Sequence, residues 1–141
     1  MAKRSSKNLV PQENPMGCAV ACVASQCRIK YHEALQLFDR PDFSWTRGFY
    51  ASEVVTALAE FNLDYDFEKF ENKKHESQLN QPGTFIFTEA NSRYPSGHYF
   101  LRLKTGWMNP WANFPHMKPV KSALEKEIQG RILYVIFKKK F

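Results

Sequence analysis

The apolar positions of the chain change period about halfway along. From Cys18 the sequence runs CAVACVAS, small and apolar, behind the turn-forming residues Asn14, Pro15, Met16 and Gly17. Turn residues ahead of a compact apolar run mark a helix start, so Cys18 to Ser25 is expected to be a packed helix with Cys18 in its first turn. Tyr31 to Phe38 (YHEALQLF) and Ala51 to Phe61 (ASEVVTALAEF) space apolar residues as amphipathic helices do, the second with Val54, Val55, Leu58 and Phe61 as its buried stripe. Beyond residue 64 the period shortens. Tyr65 to Phe70, Thr84 to Thr88 (TFIFT), Tyr99 to Leu103 and Ile132 to Phe137 (ILYVIF) read as strands, and Ser122 to Ile128 as a short helix. Asp39 to Gly48 and Glu89 to Ser96 are the long loops. Helices followed by strands predict an α+β fold in which a helical half packs on an antiparallel sheet.

With 141 residues, residues 1–141 are expected to form one domain, and 43% hydrophobic with 15% aromatic content excludes disordered and fibrous classes. No apolar run of about 18 residues occurs, and Met1 to Pro15 lacks the apolar stretch of a secretory signal. A soluble, cytoplasmic protein without membrane insertion is expected. The net charge of +6 first suggests nucleic acid. Its location argues otherwise: Lys3, Arg4 and Lys7 lie in one expected basic tail (1–11) and Lys138, Lys139 and Lys140 in the other (138–141), leaving the body formally neutral. A groove that tracks phosphates needs Lys and Arg interleaved with aromatics across the fold, so nucleic acid is not the expected partner.

Three cysteines, Cys18, Cys22 and Cys27, fall within ten residues. An odd number in a small chain argues against a disulfide framework. With His32 they offer four potential metal ligands, but not at the usual zinc-knuckle spacing. On a helix Cys22 lies about 40° from Cys18 and Cys27 about 180° away, so one ion would not collect them. Neither metal nor organic cofactor is expected. The alternative is a nucleophilic Cys18, whose place in the first helical turn puts free N–H groups and the positive end of the helix dipole beside the sulfur. Cys22 and Cys27 read as small core residues.

A nucleophilic thiol needs a base and a group to orient it. His32 belongs to a surface helix, His75 to a polar stretch expected to be an exposed loop, and His116 to a loop between prolines. His98 opens the strand HYFLRLK after Ser96-Gly97, on its less apolar side and free of the core. It is the candidate base. Asn109 and Asn113 compete to orient it. A turn at Thr105-Gly106 would pair Arg102 with Asn109 and His98 with Asn113, whereas a bulge or wider turn would bring up Asn109. Trp45, Tyr94, Trp107 and Trp111 are candidate subsite walls or packing residues.

Gln12, the stretch Gly17-Cys18-Ala19-Val20-Ala21-Cys22, then Gly97-His98-Tyr99-Phe100 and Asn109-Pro110 together resemble the pattern of the papain-like cysteine peptidases. The similarity is closest to the bacteriocin-processing branch that trims double-glycine leader peptides. The resemblance implies a papain-like fold and a cysteine-dependent hydrolase that cleaves peptide, isopeptide or side-chain amide bonds of a peptide or protein substrate. It assigns Cys18 as nucleophile, His98 as base, Asn109 as orienter and Gln12 as oxyanion donor. Cys18 and His98 would then form an ion pair at neutral pH. Ala19 stands where that branch has glycine, and Asn109 where it has aspartate. Related folds include deubiquitinase-like effectors, glutamine deamidases and toxin domains; a protein inhibitor or immunity partner is a partner class the sequence leaves open. Outside the resemblance stands a non-enzymatic or nucleic-acid-binding basic domain, whose binding would depend strongly on salt and resist thiol blockers.

Overall fold

The computed structural model describes residues 9–139. Four helices come first: α1 (Cys18–Cys27), α2 (Tyr31–Leu35), α3 (Phe43–Thr46) and α4 (Ala51–Glu60). There follow β1 (Tyr65–Lys69), α5 (Asn72–His75), a 3-10 turn (Glu76–Asn80), β2 (Phe85–Thr88), β3 (His98–Leu103), β4 (Gly106–Asn109), β5 (Ala123–Glu125) and β6 (Ile132–Lys138). The strands form one antiparallel sheet in the order β1-β6-β2-β3-β4-β5, and the fold is α+β, helix on antiparallel sheet.

Two-residue alternation gives this sheet two apolar faces. Phe85, Tyr99, Leu101, Met108 and Ile136 face the helices and join α1 and α4 in the main core. Ile86, Phe100, Trp107 and Val135 point the other way, into a smaller cluster with Tyr94 that Phe70, Leu79, Phe114 and Ile128 cover. Helix α1 rests on β3 and is covered by α2. Its residues from Ala19 to Ser25 are all buried, and their small side chains let its backbone approach the sheet. It ends at Arg28, in the left-handed conformation (φ 58°), whose N–H bonds the carbonyls of Ala24 and Ser25.

Several expectations change. Helix α4 buries Val54, Ala57 and Leu58, but Phe61 is 38% exposed: the helix ends at Glu60, and positive φ at Asn62 turns the chain off the buried face. Tyr31 to Phe38 is helical only to Leu35, and Asp39 to Gly48 contains α3. The expected helix at Ser122 to Ile128 is instead strand β5, because residues 123–125 pair with the otherwise open edge of β4. His75 is buried rather than exposed. Its Nδ1 accepts the Glu71 N–H (2.9 Å), and Nε2 meets Glu68 Oε1 at 2.8 Å between the rings of Phe70 and Phe137. Much of the expected tails, including Lys3, Arg4, Lys7 and Lys140, lies outside the described residues. Within them, Leu9 and Val10 pack on the core, Lys138 ends β6, and Lys139 pairs with Asp64 at 3.5 Å. No helix among the described residues is long and apolar enough to cross a membrane.

Candidate active site

Cys18 is the first residue of α1 and, unlike the buried Cys22 and Cys27, is partly exposed as a residue, although its thiol is turned into the protein. Gly17 makes the helix entry: a Cβ there would overlap Tyr31 Oη, which donates to Asn14 Oδ1 (2.8 Å). The backbone N–H groups of Tyr99, Ala19 and Cys18 itself act on the thiol, so Cys18 meets β3 one residue beyond His98. Gly97 takes a positive φ (79°) to bring the chain into that strand, and a Cβ there would collide with the Phe87 ring and the Thr88 carbonyl.

His98 and Asn109 are directly bonded, Nε2 to Oδ1 at 2.8 Å. The rest of the Asn109 amide determines the direction of that bond. Its Oδ1 also accepts the Trp111 backbone N–H (2.9 Å), while Nδ2 donates to Tyr94 Oη (2.8 Å) and to the Glu125 carboxylate (3.0 Å). A backbone N–H can only donate and a carboxylate can only accept, so the amide has one possible orientation. His98 Nε2 therefore carries the hydrogen, which leaves the lone pair of the neutral ring on Nδ1. The far side of the imidazole is closed by Tyr94, stacked at 3.8 Å between centroids and parallel within 1°. Tyr94 Oη donates in turn to the Trp111 carbonyl (2.7 Å).

The hairpin decides between the two asparagines. Leu103 faces Gly106 and Leu101 faces Met108, so Lys104-Thr105 forms the turn, and the register differs by two residues from the expected pairing of Arg102 with Asn109. Asn109 thereby reaches His98. Asn113 does not: it donates to the Pro119 carbonyl and accepts the Lys121 N–H.

Gln12 is nearly fully buried, with its backbone N–H bonded to the Pro110 carbonyl (3.1 Å). Its Nε2 donates to the carbonyls of Asn14 (2.9 Å) and Pro15 (3.1 Å), and its buried Oε1 has no hydrogen-bond partner. Both side-chain hydrogens are thus engaged, and service to an oxyanion requires one of those carbonyls to let go.

Burial dominates the electrostatics and opposes the expected ion pair. Desolvation pushes the Cys18 thiol up to about 11, against the lowering effect of the three backbone N–H groups. It pushes His98 down to about 4; the Asn109 bond acts upward, and the Arg93 charge downward. Burial thus favours a neutral Cys18 thiol and a neutral His98 imidazole at rest. Cys22 and Cys27 are both pushed up by burial and sit in the core.

Of the aromatic candidates, Tyr94, Trp107 and Trp111 are buried, and only Trp45, 63% exposed, is open to a ligand. Its segment is tied to the site where the Met16 N–H meets the Ser44 carbonyl (2.8 Å). Sequence reasoning did not assign a role to Glu125 or Arg93, nor the stacking role to Tyr94. No motif marks them, since β5 and the loop before β3 bring them to Asn109 only in the fold. Among the described residues, no three His, Cys, Asp or Glu side chains come together as a metal site requires. Comparison with known proteins gives no matching family model and no curated protein of significant sequence similarity.

Proposed function

We propose that this chain is a papain-like, cysteine-dependent hydrolase of amide bonds, with Cys18 as nucleophile, His98 as base and Asn109 as the group that orients it. The observation that carries the reading is the forced orientation of the Asn109 amide, which leaves His98 Nδ1 unprotonated at a strand whose next N–H touches the Cys18 thiol. An orienting amide, an imidazole and a helix-terminal thiol are the parts a thiol acylation mechanism needs.

In this mechanism, the thiol attacks the carbonyl carbon of the substrate as His98 Nδ1 takes its proton. The sulfur is thereby activated at the moment of attack, consistent with a neutral resting pair. The negative oxygen of the tetrahedral intermediate is received by the Cys18 backbone N–H at the start of α1, with Gln12 Nε2 as a second donor once released. The C–N bond breaks, the proton on His98 passes to the leaving nitrogen, and a thioester remains on Cys18. Water, deprotonated by His98, then attacks the thioester, releases the acid and restores the thiol.

The test is incubation with a mixed library of peptide amides and glutamine-containing peptides, analysed by mass spectrometry for the wild type, Cys18→Ser and His98→Ala. Backbone cleavage by the wild type alone supports a peptidase, whereas release of ammonia without cleavage identifies a deamidase on the same triad. Turnover that survives Cys18→Ser contradicts the proposal.

A further inference from the structure

Outward from the imidazole, the hydrogen bonds run from His98 to Asn109 and on to a carboxylate. Asn109 is fully buried, and its Nδ2 donates to Glu125 Oε2 at 3.0 Å. Glu125 lies in β5 opposite Trp107 and is gripped by Arg93, whose guanidinium donates to Oε2 at 3.0 Å and to Oε1 at 3.4 Å. Arg93 also donates to the Ala112 carbonyl (3.1 Å) and lies over the Tyr94 ring, 5.0 Å from its centroid. Among the described residues, this chain of contacts sets one carboxylate and one guanidinium behind His98, and the carboxylate lies one hydrogen bond from the amide that holds the ring.

We propose, on the hydrolase reading above, that Glu125 is a positioning residue for His98. It fixes the Asn109 amide with its oxygen toward Nε2, and it offsets Arg93 so that the ring can accept the proton of Cys18. Arg93 alone opposes that step, because its positive charge acts on His98 in the direction of proton loss. The geometry also explains why residue 109 is an amide. An aspartate there would set a second carboxylate against Glu125 at about the 3.0 Å that now separates Asn109 Nδ2 from Oε2. Two like charges at that distance disfavour each other's ionised form. The site has room for one carboxylate, and this chain places it at 125.

The experiment compares wild type, Glu125→Gln, Arg93→Gln/Glu125→Gln, Asn109→Asp and Asn109→Asp/Glu125→Gln. Two quantities are read in each: the rate of Cys18 alkylation by iodoacetamide at pH 7, and the tautomer and titration midpoint of His98 by nitrogen-15 NMR. Glu125→Gln should slow alkylation about tenfold, the equivalent of one unit in His98 basicity. Removing Arg93 as well should recover most of that loss, and Asn109→Asp/Glu125→Gln should outpace Asn109→Asp by about tenfold or more. Unchanged rates and midpoints in Glu125→Gln, or an Asn109→Asp single variant as reactive as the double, overturn the proposal. If Glu125→Gln does not fold, Arg93→Gln takes its place: an unopposed Glu125 should raise the His98 midpoint, and an unmoved midpoint overturns the role. The NMR midpoints decide the role of Glu125 even if peptide turnover is never observed, so failure of the hydrolase reading remains distinguishable.

Discussion

Acidification should expose the cost of keeping His98 neutral. The ring is only 3% exposed, and its pKa falls from 6.5 to about 4 on folding, chiefly by desolvation. That is about 2.5 units, or about 3 kcal/mol at about 1.4 kcal/mol per unit. The unfolded chain takes up this proton first, so protonation favours unfolding. The stability owed to neutral His98 is complete above pH 6.5, is lost as the pH falls through 6.5 toward about 4, and loses nothing further below. Urea unfolding of the wild type and His98→Gln, at half-unit steps between about pH 7.5 and about pH 3.5, isolates the effect. His32, His75, His116 and the carboxylates are common to both proteins and cancel in the difference. The wild-type advantage should shrink by about 3 kcal/mol across the window. A flat difference, or an advantage that grows on acidification, refutes the reasoning, because it would mean a native His98 that holds its proton as strongly as the unfolded chain does.

Other expectations follow from the same contacts. Asn109→Ala strips partners from the Trp111 N–H, His98 Nε2 and Tyr94 Oη; at about 1–3 kcal/mol for each buried group left unsatisfied, a loss of about 3 kcal/mol or more is expected by urea unfolding, with at least a tenfold fall in Cys18 alkylation. Tyr94→Phe keeps the ring stacked on His98 but removes a hydroxyl that bonds both Asn109 and Trp111, so about 1–2 kcal/mol of stability should go while the His98 tautomer stays. Gly17→Ala forces Tyr31 Oη away from Asn14, and lower stability with slower Cys18 alkylation should appear together. Cys22→Ser buries a hydroxyl in the core and should cost about 1–3 kcal/mol, with alkylation of Cys18 retained in the folded protein.

The elements that bury alternate or helically spaced residues were legible in the sequence, because the pattern is the imprint of the face they bury. That holds for α4, β1, β2, β3 and β6, whereas α1, buried all round, was legible from its compact run of small apolar residues behind a turn. Strand β5 left no such imprint: only three residues pair, and it is the open edge of β4, not local preference, that makes them a strand. His75 was missed for a similar reason, since its polar neighbours suggest a loop while Glu68 from β1 supplies the partner that lets it be buried. The hairpin is instructive about the site itself. The register differs by two residues from a turn at Thr105-Gly106, and a shift of two keeps every side chain on its own face of the sheet. The facing of Asn109 was therefore readable from parity, whereas its level beside His98 depended on which two residues form the turn. The state of the pair was not readable at all. A helix N-terminus favours a thiolate, but the burial that outweighs it is a property of the assembled core.

The central claim is that His98 activates Cys18, and the pH dependence of Cys18 alkylation by iodoacetamide, read by peptide mass spectrometry in the wild type and in His98→Ala, tests it most directly. Partial exposure should let Cys18 react ahead of buried Cys22 and Cys27, and at pH 7 its rate should exceed that of His98→Ala by about a hundredfold, the ordinary contribution of a positioned base. A rate that climbs only as the thiol itself ionises toward about 11, and is the same in His98→Ala, would contradict the account.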